Sequence, residues 1–214
     1  MKRRTLDIAF SLAGLAITVL LVVGGMVLTS NANFARDYVA TQLSQQNITF
    51  KSLDTLTDEE RQSAGLRQYA GQKLTTGKQA EVYANDFIGL HLKSVAGGKT
   101  YADMGEVQAD LRTQVATAQK NNDPNLAALQ KQLTDANGQR ETLFKGETLR
   151  GLLLTSYGFS EFGTKAGQAA TVAYLGAVLM ALATALGFLH ALRTPKTVGF
   201  AVPEPATPQR LATV

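Results

Sequence analysis

Residues 8–28 read IAFSLAGLAITVLLVVGGMVL and residues 166–192 read AGQAATVAYLGAVLMALATALGFLHAL, runs of 21 and 27 positions without Asp, Glu, Lys or Arg. A helix rises about 1.5 Å per residue and the hydrocarbon layer is about 30 Å thick, so about 20 apolar residues cross it. Each run predicts a transmembrane helix by itself. The implied fold class is mainly α, with two transmembrane helices flanking a small helical extracytoplasmic domain. Its parts are a flank at 1–7, a first span at 8–30, a polar segment at 31–165, a second span at 166–192 and a disordered tail at 193–214. The first run exceeds the roughly 7 to 15 apolar residues of a signal peptide core, so it is read as an uncleaved anchor.

Charge placement gives an orientation. Lys2, Arg3 and Arg4 precede the first run, and Arg193, Lys196 and Arg210 follow the second, against only Asp7 and Glu204 in the same flanks. The segment between the runs carries 15 basic and 15 acidic residues, so the net charge of +4 sits in the two ends. Basic residues beside a span stay on the cytoplasmic side, and a long loop crosses whatever its charge. Both termini are therefore expected in the cytoplasm of a plasma-membrane protein and the middle outside it. The same reading assigns the basic surplus to topology and anionic lipid, with no nucleic-acid partner.

The chain contains no cysteine, which excludes disulfides, thiolate metal sites and covalent haem attachment through Cys. Within 31–165 the periodicity is mostly helical. Phe34, Tyr38, Val39 and Leu43 extend one face beyond the first run, with a break expected near Asn47. Thr57 and Glu60 form a capping-box pattern, and the acidic triplet Asp58, Glu59 and Glu60 suits a helix start. Ala80, Tyr83, Ala84, Phe87, Ile88, His91 and Val95 share a face that Gly97 and Gly98 can terminate. Met104, Val107, Leu111 and Val115, then Leu126, Leu129, Leu133 and Ala136, predict a helical hairpin turned at Asp123 and Pro124. A last amphipathic stretch, 144–162, places Tyr157, Phe159 and Phe162 where an interfacial aromatic belt would lie. Ile48 to Leu53 can be extended.

The second run carries a ridge of Ala169, Ala173, Ala177, Ala181 and Ala185, and the first adds Ala9, Ala13, Gly14, Gly24 and Gly25. Small residues let helices approach closely in lipid, so these faces are candidates for pairing with each other and with further subunits. Reaction chemistry is sparse. The only histidines, His91 and His190, fall on opposite sides of the expected membrane, which forbids a two-histidine metal site or a Ser-His-Asp arrangement. Gly98-Lys99-Thr100 imitates the end of a phosphate loop, but Lys93 stands where its first glycine is required. No catalytic residue, metal or cofactor is expected. The segment Gly97, Gly98, Lys99, Thr100 and Tyr101 is the candidate for a specific contact, beside its structural role as a helix stop followed by a packed tyrosine.

Ala80 to Ala84, Ile88, His91-Leu92, Gly97 to Tyr101, Leu149-Arg150 and Leu154 to Ser156 together resemble an actinobacterial family of two-span membrane proteins. Its members often carry a misleading label as aromatic ring-opening dioxygenases. They are similar to accessory factors of the cytochrome bcc-aa3 respiratory supercomplex. The resemblance implies a non-catalytic accessory or assembly subunit, with integral membrane subunits and lipid as partners. Iron-dependent ring opening would need two histidines and a carboxylate converging on one side of the membrane. The alternative is an extracytoplasmic sensor or ligand-binding membrane protein signalling through a partner, since no output domain follows the second run.

Overall fold

The computed structural model describes residues 2–196, 198 and 199. It is mainly helical, with no strand among the described residues. The long helices are α1 (Arg3–Gln45), α5 (Tyr101–Lys120) and α6 (Leu126–Arg193). Shorter helices lie between α1 and α5: α2 (Ala64–Tyr69), α3 (Gly77–Val82), a π-helical segment (Tyr83–Ile88) and α4 (Gly89–Val95). The two apolar runs lie in α1 and α6. Only 11% of the most apolar 18-residue window of each helix is buried in the protein, unlike the mostly buried core helix of a soluble domain. By length and composition both helices can cross a membrane, which points to a membrane protein.

The chain divides into two compact units, residues 1–30 with 166–214, and residues 31–165. In the first, α1 and α6 pair antiparallel. Ser11 meets Gly187, Gly14 meets Thr184, Leu21 meets Gly176 and Gly25 meets Tyr174. Inward positions on α1 alternate three and four apart, at Asp7, Ser11, Gly14, Thr18, Leu21 and Gly25, and those on α6 include Ala170, Ala177, Thr184 and Ala191 at sevenfold spacing. This is a coiled-coil seam built from small residues, which permits close backbone approach where lipid supplies no hydrophobic drive. Past α6, Arg3 N–H donates to the Val198 carbonyl at 3.2 Å. Most of the tail expected to be disordered, from residue 200 onward, lies outside the described residues.

In the second unit, α1 stops where Asn47 takes a left-handed φ of 51°, a conformation that Asn tolerates better than most residues. The chain after it is extended, as its sequence allows. Leu74 N–H donates to Ile48 and Phe50 N–H to Gln72, both at 2.9 Å. The core gathers Val39, Leu43, Phe50, Leu56, Leu66, Leu74, Ala80, Ala84, Ile88, Leu92, Met104, Ala136, Leu143 and Leu153. The hairpin turns as expected between α5 and α6, with Asp123 Oδ1 accepting from Asn125 N–H at 2.7 Å. One expectation needs correction. The second hairpin arm, the amphipathic stretch 144–162 and the second run are one unbroken helix, α6, because no proline interrupts them and the inward positions keep a spacing of three and four.

Candidate functional site

The segment 97–101 is a turn held by its own chemistry. Gly97 and Gly98 adopt φ of 61° and 84°, the left-handed region open to glycine, and no atom stands within 4 Å of a Cβ built on either. Backbone conformation, not crowding, requires these glycines. Thr100 then caps α5: its N–H and hydroxyl both donate to Asp103 Oδ2 at 2.8 Å, and Asp103 N–H donates to Thr100 Oγ1 at 3.2 Å. The Thr100 backbone N–H, followed by its hydroxyl, holds the Asp103 carboxyl below its ordinary value. Tyr101 packs on Phe144 at 5.8 Å and lies under the Arg140 guanidinium at 4.3 Å. Arg140 also donates to Gln108 Oε1 at 2.8 Å, and Gln108 Nε2 to Asn137 Oδ1 at 2.6 Å, so the tyrosine belongs to the clamp between α5 and α6. Lys99 is exposed at the turn.

The alanine ridge is divided. Ala177 is buried against α1 and Ala173 is half-buried, whereas Ala169, Ala181 and Ala185 are exposed. The ridge therefore runs from the α1 seam onto the outer face of α6, where Val172, Leu175, Leu179, Leu182 and Leu186 are also exposed.

Two features escape the sequence reading. The first is Glu60, which begins a 3-10 turn at Glu60–Gln62 instead of the expected α-helix, with its side chain only 1% exposed. The capping-box pattern is real: Thr57 N–H donates to Glu60 Oε2 at 2.8 Å, and Glu60 N–H to Thr57 Oγ1 at 3.2 Å. Lys51 Nζ donates to Oε1 at 2.7 Å, and His91 Nε2 stands 3.4 Å from the same oxygen. Burial acts to raise this carboxyl, but the Lys51 ammonium and the Thr57 N–H outweigh it, and the net displacement is downward. His91 is half exposed, not sunk in the apolar face. Its ring lies tilted against that of Phe87, with centroids 4.5 Å apart and Nδ1 2.7 Å from the Phe87 carbonyl.

The second is a groove between residues 38–46 of α1 and 149–159 of α6, a cavity of about 430 Å³ lined by Tyr38, Leu43, Gln42, Leu152, Leu153 and Phe159 among others. No charged side chain lines it, and the hydroxyls of Thr155 and Ser156 are spent on the carbonyls of Gly151 and Leu152. At its edge Phe34, Tyr38 and Phe159 interlock, with centroid distances of 5.8 to 6.3 Å. Phe34 is 59% exposed, Leu152 62% and Phe162 76%. The sequence showed the aromatics of α6, but their partnership with Phe34 and Tyr38 needs the two helices side by side.

No group of three or more His, Asp or Glu residues suited to a metal ion occurs among the described residues. The described residues present exposed apolar and aromatic surface. No family model, curated protein or solved structure matches the chain.

Proposed function

We propose that the chain is a membrane-anchored, non-catalytic accessory subunit of a larger membrane complex. The two apolar helices cross the plasma membrane with both termini cytoplasmic, and residues 31–165 form an extracytoplasmic helical body. The observation that carries this reading is the exposed aromatic cluster of Phe34, Tyr38 and Phe159 in unit 31–165, with Leu152 and Phe162 of α6 also exposed. Contiguous exposed apolar surface of this kind marks an interaction face. The exposed alanines of α6, Ala169, Ala181 and Ala185, supply a second surface on which a further transmembrane helix can pack closely. The resemblance of segments 80–84 and 97–101 implies cytochrome bcc or aa3 components as the partners.

Purification of the tagged full-length chain in mild detergent, with companions identified by mass spectrometry, tests the proposal. Integral membrane subunits co-purifying in constant ratio are expected, with loss on Phe34→Ser combined with Phe162→Ser. Recovery of the chain alone overturns it. The groove favours one other reading, a ligand-binding input, because about 430 Å³ of uncharged cavity lies in the range of small-molecule sites. Saturable thermal stabilisation by a neutral amphiphile, without companion subunits, would select that reading.

A further inference from the structure

The side of α6 that meets α5 does not end where α5 does. Gln108 of α5 donates to Asn137 of α6 at 2.6 Å and accepts from Arg140 at 2.8 Å, and Tyr101, the first residue of α5, packs on Phe144 at 5.8 Å. Phe144 is therefore the last layer that α5 covers. Beyond it the same side of the helix continues at spacings of four and three through Thr148, Gly151, Thr155, Gly158 and Phe162, the a and d positions of a heptad pattern. None of these residues is charged. Phe144 is 55% exposed and Phe162 76%, while Thr148, Gly151 and Thr155 are exposed and Gly158 is half-buried. The opposite side of α6 over this length packs into the body: Gly146 meets Leu92, Leu153 is buried and Ser160 meets Gly77. A Cβ built on Gly151 or Gly158 would meet open space. Glycine weakens a helix interior, and neither packing within the chain nor a left-handed φ calls for it at these two positions.

We propose that this side of α6 pairs with the same side of a second copy of the chain. A heptad stripe is the surface that another helix covers in a coiled coil, and this one prolongs the seam already formed with α5. Because α6 runs on into the second apolar run, two copies in one membrane carry their α6 helices in the same direction, so a two-fold axis along the membrane normal sets each stripe position against its own counterpart. Identical charged positions would then repel, and the stripe holds none. The size profile suits a symmetric crossing. Gly151, Thr155 and Gly158 let two helices approach closely, and Phe144 and Phe162 stand at the two ends of the stripe, where crossing helices diverge and leave room for a ring. Leu152, 62% exposed, flanks the stripe and is covered with it. The pairing rests on the membrane-spanning reading and on no companion subunit, so a dimer recovered without companions upholds it while overturning the accessory role.

The chain has no cysteine, so single substitutions read the pairing directly. Thr155→Cys lies on the stripe; Thr164→Cys, exposed and two residues past Phe162, points about 200° away from it and serves as the control. Mild oxidation of membranes holding the full-length chain at low expression should convert most of the Thr155→Cys protein to a dimer of twice the chain mass and leave Thr164→Cys monomeric. Equal cross-linking of the two, or none with Thr155→Cys, overturns the pairing. Photobleaching of the unaltered, dye-tagged chain should show two steps per spot, falling to one when Gly151→Leu and Gly158→Leu are combined. One step in the unaltered chain, or two steps that survive both leucines, overturns it as well. Should the double variant fail to fold, the cross-link and the count on the unaltered chain still decide. A benzophenone placed on Thr155→Cys that captures another protein, or lipid alone, and no second copy assigns the stripe to that occupant instead. Retention of the chain in carbonate-washed membranes without a Thr155→Cys dimer overturns the pairing and leaves the spans standing, whereas release from those membranes removes both.

Discussion

Glu60 shows how much a single side chain can organise. Its carboxylate closes the Thr57 turn, receives the Lys51 ammonium and faces His91, all while its side chain is 1% exposed. Glu60→Gln leaves Lys51 without its ion partner and should destabilise unit 31–165 by about 2 kcal/mol at neutral pH. The pH dependence has a definite sign. The folded carboxyl titrates below its ordinary value of 4.5, so its contribution is complete above that pH and is lost as pH falls through the folded value. Denaturation of the full-length chain in mild detergent, followed by tyrosine fluorescence, reads this well because five of six tyrosines lie in 31–165 and there is no Trp. The original chain should lose stability on acidification below about pH 4.5, and Glu60→Gln should lose less. A parallel acid profile for the two would remove Glu60 from this role. The turn at 97–101 makes a smaller, local claim: Thr100→Ala should cost about 1 kcal/mol through loss of the α5 cap, measured by the same denaturation. Capping patterns such as Thr57 with Glu60 are legible in sequence because donor and acceptor sit three residues apart. That Glu60 is buried is not, because Lys51 reaches it from nine residues away and His91 from another helix.

Among the elements, α1 and α6 repay the most attention. Their apolar runs are legible from length alone, since spanning depends on a count of residues. The continuity of α6 is not, because polar residues at 138–142 and 160–165 look like boundaries when read locally. The seam was only half visible. Alanines every four residues suggest a single ridge, but the inward positions at Ala170, Ala177, Thr184 and Ala191 recur every seven, so most of the ridge turns away from α1. A chain without cysteine makes the pairing easy to test. A Cβ on Gly187 would stand 3.7 Å from that of Ser11, close to the mean Cβ separation of about 3.8 Å in disulfides. Oxidation of the Ser11→Cys, Gly187→Cys protein should give a fast intramolecular cross-link, whereas Phe10→Cys with Leu186→Cys, both exposed, should give none. Equal cross-linking of the two pairs would rule out the seam. Replacing Gly25 by Leu should weaken the pair, because even a Cβ there would come within 2.6 Å of the Tyr174 ring.

For the whole molecule, charge and exposed apolar surface carry the proposed function. The positive surplus lies at the two ends of the chain, the apolar helices expose their flanks, and the balanced segment between them carries the aromatic patch. Surface patches are the least legible part of a single sequence, because the cluster of Phe34, Tyr38 and Phe159 joins residues of α1 to one more than a hundred positions away on α6. The proposed topology, by contrast, rests on the placing of a few lysines and arginines, and every proposed partner depends on it. The most direct measurement is labelling of single cysteines in intact cells with a membrane-impermeant maleimide. Lys99→Cys should react readily in intact cells, and Lys2→Cys only after the membrane is permeabilised. Protection of the cysteine at 99, or labelling of the one at position 2 in unbroken cells, would contradict a helical body held outside by two inward-facing tails.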